Sequence, residues 1–170
     1  MAGAGMIMHL PLCPGVTFEA GRLHTLLGPP ECVAALLADP ATARFPAVCI
    51  CPEGSVLPSH LDPFASRCRI RVVRSARELL RELASAREAV VVVEHAPAFY
   101  DEEGAVRRSL GHQLRARSAF AMVVLYAETS DPVFTAIAGR ADRSFVLVCT
   151  GPSATFGRPL APGQTTLGGT

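Results

Sequence analysis

Runs of apolar residues recur along the chain at strand-like lengths, and most of them show no polar alternation. The clearest is residues 89–93, an alanine and four valines, which Glu94 and His95 follow. β-Branched residues favour extended backbone, and a strand without alternation is typical of a central strand that is covered on both faces. Similar runs predict further strands at residues 23–27, 47–51, 121–126 and 144–148.

Helical patterns fill most of the intervals between these runs. A capping-box pattern begins at Ser75, and the pair Asp131–Pro132 supplies an N-cap followed by a proline that suits the first turn. Helices are predicted at residues 31–38, 75–85, 105–118 and 131–138. Residues 52–64 hold three prolines and a glycine and are predicted to be a long connection. Strands that alternate with helices predict a three-layer α/β sandwich with a mainly parallel central sheet.

A further predicted strand, residues 68–73, alternates between basic and apolar positions and is therefore expected at the edge of the sheet. Guanidinium groups pair with phosphates through two parallel hydrogen bonds. The first arginine cluster is consequently a candidate nucleic-acid contact, and it comprises Arg67, Arg69, Arg71 and Arg74. A second cluster lies on the helix at 105–118 and comprises Arg107, Arg108, Arg115 and Arg117. Only 6% of residues are aromatic, which gives little support to a stacking platform for single strands.

Composition narrows the class of protein. A length of 170 residues with 49% hydrophobic residues suits one folded domain, which we place at residues 1–150. Residues 151–170 are rich in Gly, Pro and Thr and form a tail or a strand-plus-loop extension. No apolar run has the length of a membrane span, and residues 1–14 lack the basic start and cleavage site of a signal peptide.

The charged and sulfur-containing residues exclude several kinds of chemistry. The net charge is +1 and every basic residue is arginine, so this chain supplies no catalytic, Schiff-base or phosphate-loop lysine. Its six cysteines are scattered without a CxxC pair, which favours buried free thiols over a metal site. We expect no bound metal or cofactor and an intracellular, reducing location, cytoplasmic or nuclear.

Glu94 is the best-placed polar residue, because ligands of open α/β folds bind beside the carboxyl ends of the strands. It could instead cap a loop or pair with an arginine. His95 and residues 101–103, which are all acidic, could join Glu94 in a metal or acid–base site or form a solvated loop. None of the metal-binding or nucleophile motifs with a fixed spacing is present.

Several segments, taken in order, resemble the ATPase core of RecA-like proteins of the RecA, RadB and KaiC group. Residues 18–30 resemble the turn and strand that lead into a phosphate-binding loop, and the valine strand resembles the Walker B strand, with Glu94 where aspartate is usual. Residues 122–128 resemble the next strand, with Glu128 at its polar end, and residues 141–147 resemble the strand after that. The resemblance covers about residues 16–150.

The phosphate loop itself departs from the family pattern. Gly28, Pro29 and Pro30 begin the segment, but no second glycine, lysine or hydroxyl residue follows, and proline offers no N–H to a phosphate. Glu31 adds a negative charge where an anion would sit. The resemblance therefore implies a RecA-like core without a functional phosphate loop and without ATPase activity. The vestigial nucleotide-site positions are Gly28, Pro29, Pro30, Glu94 and Glu128.

Such a core implies a non-catalytic accessory or interaction subunit, in a complex of DNA recombination or repair. Its partner would be a protein, either a RecA-family paralogue or a second copy of the chain, with DNA as a further candidate. Two alternatives remain open at this stage. One is a small intracellular α/β enzyme and the other is a nucleotide-binding regulator, and both would use the sheet edge at Glu94.

Overall fold

The computed structural model describes residues 10–13, 16–100, 104–148 and 155–156, with side chains for residues 17–100 and 104–147. Two strands that pair antiparallel begin the chain, β1 (Leu10–Cys13) and β2 (Val16–Phe18). The remaining strands are β3 (Leu23–Leu27), β4 (Ala47–Pro52), β5 (Cys68–Val73), β6 (Val90–Glu94), β7 (Met122–Ala127), β8 (Arg143–Val148) and β9 (Thr155–Phe156). They form one sheet in the order β5-β4-β6-β7-β3-β8-β9, in which the first six strands are parallel and β9 is antiparallel to β8.

Helices cover both faces of this sheet. They are α1 (Glu31–Ala38), α2 (Leu57–Leu61), α3 (Ala76–Ser85), α4 (Ala105–Ser118) and α5 (Pro132–Ala138), with short 3₁₀ turns at Asp62–Phe64 and Pro97–Phe99. Leucines of α1 and α2 pack with Phe18 on one face, whereas the apolar residues of α3, α4 and α5 pack on the other. The three-layer α/β sandwich with a mainly parallel sheet is therefore confirmed.

The valine strand lies near the centre of the sheet, between β4 and β7. All four valines are fully buried. Val90 and Val92 belong to the core on the side of α1, whereas Val91 and Val93 belong to the core on the side of α3 and α4. This division explains the unbroken valine run, because each successive side chain enters a different apolar layer.

The sequence signals for helix starts correspond to observed caps. The Ser75 hydroxyl accepts a hydrogen bond of 3.3 Å from the Glu78 backbone N–H at the start of α3. The Asp131 carboxylate accepts one of 2.8 Å from the Phe134 N–H, with Pro132 in the first turn of α5. Helix α4 begins after Gly104, whose φ of 70° is accessible to glycine with little strain.

The prediction of a long connection at residues 52–64 left out two helical elements, α2 and a 3₁₀ turn. Pro58 and Pro63 occupy the first turns of these elements, where a missing N–H costs no internal hydrogen bond. Prolines that suggested an irregular loop therefore begin helical turns. In the C-terminal extension, the pairing of β9 with β8 is described, and the remainder of residues 151–170 lies outside the described residues.

Strand β5 is an edge strand of the sheet, as its alternation predicted. The division into a basic and an apolar face is only partly correct. Val72, on the expected apolar face, is 55% exposed, whereas Arg71, on the basic face, is largely covered. Among the described residues, no helix has the length and apolar character needed to cross a membrane.

Candidate functional site at the carboxyl edge of the sheet

Parallel pairing brings the carboxyl ends of β3, β4, β6 and β7 to the same edge of the sheet. Glu94 is the last residue of β6, opposite Tyr126 of β7, and Ser55 follows β4. The Ser55 hydroxyl donates a hydrogen bond of 2.5 Å to Glu94 Oε2 and accepts one of 3.0 Å from the Leu57 N–H. The first residue of α2 therefore fixes the hydroxyl that binds the Glu94 carboxylate.

Electrostatics at this edge disfavour further negative charge. Burial is the main cause of the raised pKa of Glu94; the Ser55 hydrogen bond opposes it, and the charge of Glu128 adds to it. Burial likewise raises the pKa of Tyr126, and the charges of Glu128 and Glu94 raise it further. The charge of Glu128, which is exposed, thus acts on both Glu94 and the buried Tyr126.

His95 does not join this acidic group, because its side chain is only 1% exposed and both ring nitrogens have partners. Nε2 lies 2.5 Å from Asp131 Oδ2, and Nδ1 lies 3.0 Å from the Tyr100 hydroxyl. Donation from Nε2–H to the carboxylate leaves Nδ1 to accept from the hydroxyl. The ring also stacks on Tyr100, with centroids 5.1 Å apart, and meets the edge of Phe134.

The two hydrogen-bond partners of His95, Asp131 and Tyr100, are also fixed by their surroundings. Burial alone would raise the pKa of Asp131, but hydrogen bonds from the Phe134 N–H and from His95 hold it below its usual value. Burial also raises the pKa of the Tyr100 hydroxyl. His95 thus links the end of β6 to the N-cap of α5 and is a structural residue. Residues 101–103, which we had considered beside it, lie outside the described residues.

The connection between β3 and α1 consists of only three residues, Gly28, Pro29 and Pro30. The Gly28 N–H donates to the Ala127 carbonyl at 3.0 Å, and the two prolines have no N–H. The Cys32 N–H donates to the Pro29 carbonyl, also at 3.0 Å. A phosphate cradle needs several backbone N–H groups that converge on the ligand, and this connection has already committed the N–H groups of Gly28 and Cys32.

The space around Gly28 is also filled by the chain itself. A Cβ atom on Gly28 would lie 3.0 Å from the Leu147 carbonyl oxygen and 3.3 Å from Cys32 Sγ. Glu31 begins α1 with a side chain that is 66% exposed, and its carboxylate lies 3.8 Å from His60 Nδ1. The charge of Glu31 also contributes to the raised pKa of Tyr126. Glu31, which follows Pro30 directly, therefore adds negative charge beside the place where the family resemblance would put an anion.

The first arginine cluster lies along β5 and is not drawn together into one open basic surface. Arg71 binds Glu82 at 3.0 Å and Glu88 at 3.2 Å. The other three also have partners within the chain: Arg69 with Glu88 at 3.7 Å, Arg74 with Glu53 at 3.1 Å, and Arg67 with the Thr42 carbonyl and the Phe64 ring. The nucleic-acid contact remains a prediction for these residues.

The second cluster is divided by its contacts. Arg115 binds Asp142 at 2.6 Å and the Arg140 carbonyl, and Arg117 donates to the Glu88 carbonyl at 2.8 Å. Arg107 and Arg108 instead line a groove between α4 and α5, with Arg140 on the opposite side.

Two cavities of the molecule lie away from Glu94. The groove between α4 and α5 measures about 150 Å³. The other, of about 320 Å³, lies beside the amino ends of β4 and β5 and is lined by residues including Arg67 and Glu88. Cys49, Cys51 and Cys68 are buried free thiols, and Cys32 is buried as well. Among the described residues, no three potential ligands are arranged to hold a metal ion.

Several residues of these sites carry little or no local signal in the sequence. Ser55 carried one usable signal, since it is a hydroxyl residue shortly after a buried strand. Asp131 was recognised as an N-cap, but its bond to His95 spans 36 residues and left no local signal. Tyr100 and Arg140 likewise gained their positions from tertiary packing alone.

Comparison with known proteins gives one further observation. No protein-family model and no curated protein match the chain. Among solved structures, the fold is similar to the flagellar accessory protein FlaH from Methanocaldococcus jannaschii, with a TM-score of 0.52 and 12% sequence identity. The match covers 89% of this chain and 85% of that one. The chain has a RecA-like fold.

Within this RecA-like fold, the segments that resemble the RecA family in sequence lie close to one another in the sheet. Strand β3, which resembles the phosphate-loop strand, and β6, which resembles the Walker B strand, are separated in the sheet by β7 alone. Their carboxyl ends open on the same edge, with Glu128 following the strand between them. At 12% identity the comparison establishes the fold and leaves the function to the site.

Proposed function

We propose that the chain is a non-catalytic RecA-like accessory subunit that acts by binding other proteins. The observation that carries this proposal is the three-residue connection between β3 and α1. Its single N–H, that of Gly28, is bonded to Ala127, and its two prolines have none. A nucleoside triphosphate would therefore lack the backbone N–H donors that bind its phosphates at this position in RecA-like ATPases.

Charge supports the same proposal. The charges of Glu31, Glu94 and Glu128 all raise the pKa of Tyr126, so this edge of the sheet disfavours the further negative charge of a triphosphate. Two unit charges about 6 Å apart repel by about 3 kcal/mol at an effective dielectric constant of about 20. No lysine in the chain can offset this repulsion. The partly buried Glu94 further indicates an edge that is not prepared for an anion.

The kind of complex is inferred from the family resemblance. RecA-like relatives without a phosphate loop commonly serve as partner subunits, and we propose a complex of DNA recombination or repair. The partner would be a RecA-family paralogue or a second copy of this chain. The similar structure FlaH is itself named an accessory protein, which is compatible with a supporting role but specifies no partner.

The proposal is tested by purifying the tagged chain from its native cells and identifying proteins that co-purify in stoichiometric amount. We expect a RecA-like chain among them, and light scattering of the purified protein should separate a heteromeric complex from a homo-oligomer. DNA binding by the complex should exceed that of the chain alone. A chain that stays monomeric, recruits no partner and hydrolyses ATP would contradict the proposal.

A second candidate is an enzyme or nucleotide-binding regulator that uses Glu94. The raised pKa of Glu94 and its short bond to Ser55 favour it, because a partly buried carboxyl group holds a proton more readily than an exposed one and can act in acid–base chemistry. The burial of His95 and its two hydrogen bonds count against it, since the ring is not free to act with Glu94. Turnover or nucleotide binding that Glu94→Gln abolishes would favour this candidate.

A further inference from the structure

The groove between α4 and α5 has an apolar floor and a basic rim. Arg107, Arg108 and Gly111 lie on the α4 side, and Ala136, Ile137 and Arg140 lie on the α5 side. Its volume of about 150 Å³ is comparable to that of one side chain of a binding partner. Ile137 is buried and belongs to the lining of the groove. The groove thus combines a shallow apolar recess with guanidinium groups around it.

Two of these guanidinium groups are not neutralised by a carboxylate of the described residues. Elsewhere arginines find carboxylates, as Arg71 does with Glu82 and Glu88, and Arg115 with Asp142. Within the part of the chain that the structure describes, Arg107 and Arg140 have no ion-pair partner. Their positive charge is therefore available to an external anionic group.

Gly111 is an independent indication that another molecule binds at the groove. It lies inside the 14-residue helix α4, where glycine lowers helix stability relative to alanine. A Cβ atom at this position would meet nothing within 4 Å, so packing within the chain does not require a glycine there. The missing side chain instead leaves room above the floor of the groove for the close approach of another molecule.

We propose that this groove binds an acidic segment of a partner protein. Aspartate or glutamate side chains of the segment would pair with Arg107 and Arg140, since guanidinium and carboxylate form strong, charge-assisted hydrogen bonds. One small apolar side chain would rest over Gly111 and against Ile137. An apolar floor without an aromatic residue suits a peptide better than a nucleic acid, whose bases stack on aromatic rings.

This inference rests on the proposed role as an interaction subunit, and it names the chemistry of the partner at one surface. The test uses the full chain and a short fluorescein-labelled peptide built of Glu-Glu-Leu repeats, followed by fluorescence anisotropy. A peptide with Gln in place of Glu, a single-stranded oligonucleotide and inorganic phosphate serve as comparison ligands. We expect the acidic peptide to bind most tightly, with amide shifts at Gly111 and Ala136 in NMR spectra.

Two variants locate the binding. Gly111→Leu has room for its Cβ atom and extends a side chain into the groove, so it should weaken binding of the acidic peptide by about tenfold or more, while the melting temperature stays the same or rises. The double variant Arg107→Glu with Arg140→Glu should weaken it at least as much. Arg77→Glu, at an exposed position of α3, changes the same charge away from the groove and should alter affinity less than about twofold.

Three results would overturn the inference: equal affinity for the Gln peptide, unchanged affinity of the Gly111→Leu variant, or tighter binding of the oligonucleotide that the groove variants abolish. The co-purification experiment separates the two levels of the account. If a stoichiometric partner is found and its complex forms with both groove variants, the groove is not its binding surface, but the proposed function stands. Absence of any partner, together with an unbound peptide, would remove both.

Discussion

Replacing Arg71 with methionine should destabilise the fold substantially, because this arginine connects the edge strand β5 to α3 and to the turn before β6. Its side chain is 18% exposed and bridges Glu82, 26% exposed, and Glu88, 11% exposed. Methionine keeps much of the apolar stem but removes the charge and both ion pairs. The two carboxylates would then remain in place without their main counter-charge.

The magnitude follows from the geometry. Unit charges about 3 Å apart attract by about 5 kcal/mol at an effective dielectric constant of about 20, but the desolvation of the ions offsets much of this. Exposed pairs contribute up to about 1 kcal/mol, and removing one partner of a buried pair costs about 3–5 kcal/mol. For partly exposed groups we therefore expect a loss of about 2–3 kcal/mol. For a chain of this length that corresponds to a fall in melting temperature of about 5–10 °C.

Urea denaturation followed by circular dichroism measures this loss directly, with Arg77→Met as the control. Arg77 lies exposed on α3, and its replacement should change the free energy of unfolding by no more than about 0.5 kcal/mol. If Arg71→Met costs no more than the control, the ion-pair network does not hold β5 in place. A marked loss of DNA affinity in a stable Arg71→Met protein would instead return this residue to a binding role.

The cost of Arg71→Met should also depend on pH. Burial alone would raise the pKa of Glu88, but backbone hydrogen bonds and the charges of Arg71 and Arg69 hold it below its usual value. A carboxyl group whose folded-state pKa is lowered stabilises the fold above its unfolded-state pKa, and this contribution is lost as pH falls through the lowered value. The difference between wild type and variant should therefore be large at neutral pH and should shrink in acid.

Three further substitutions test other parts of the structure by the same denaturation assay. Glu94→Gln keeps an acceptor for the Ser55 hydroxyl but removes a carboxyl group whose folded-state pKa is raised. Such a group favours the fold while it is protonated and loses that contribution as pH rises through the raised pKa. The variant should therefore be more stable than wild type at neutral pH and not in acid, and an equal effect at both pH values would contradict the raised pKa. Gly28→Ala forces a Cβ atom to within 3.0 Å of the Leu147 carbonyl and should cost about 1–3 kcal/mol, whereas a neutral effect would mean that the connection is mobile. Val92→Ala leaves a cavity in a fully buried layer and should cost about 2–3 kcal/mol, with a value below about 1 kcal/mol arguing against a central β6.

The sheet could be predicted from the sequence because its signals are local. The unbroken valine run indicates a strand that is buried on both faces, as the structure shows. Ser75 and Asp131 are typical N-cap residues, and both cap helices in the structure. The alternation of β5 correctly placed it at the edge. Helix α2 was missed because Pro58 was interpreted as a loop residue, although proline suits a first helical turn.

The site was harder to predict because its contacts join distant parts of the chain. Glu94 could be selected from its place at the end of a strand, but its bond to Ser55 crosses 39 residues. The pairing of Arg71 with Glu82 and Glu88 depends on how α3 returns across the sheet. A basic strand in the sequence therefore suggested an open surface, whereas packing turned part of it inward.

The central claim is that this RecA-like fold has no working nucleotide site, and calorimetric titration with Mg-ATP and Mg-ADP tests it most directly. Thermal denaturation of the same samples, with sulfate at matched ionic strength, controls for non-specific anion effects. We expect no heat of binding and no nucleotide-specific rise in melting temperature at millimolar concentration. Saturable binding, or a melting temperature that rises with either nucleotide and not with sulfate, would contradict the account and place a phosphate site on this chain.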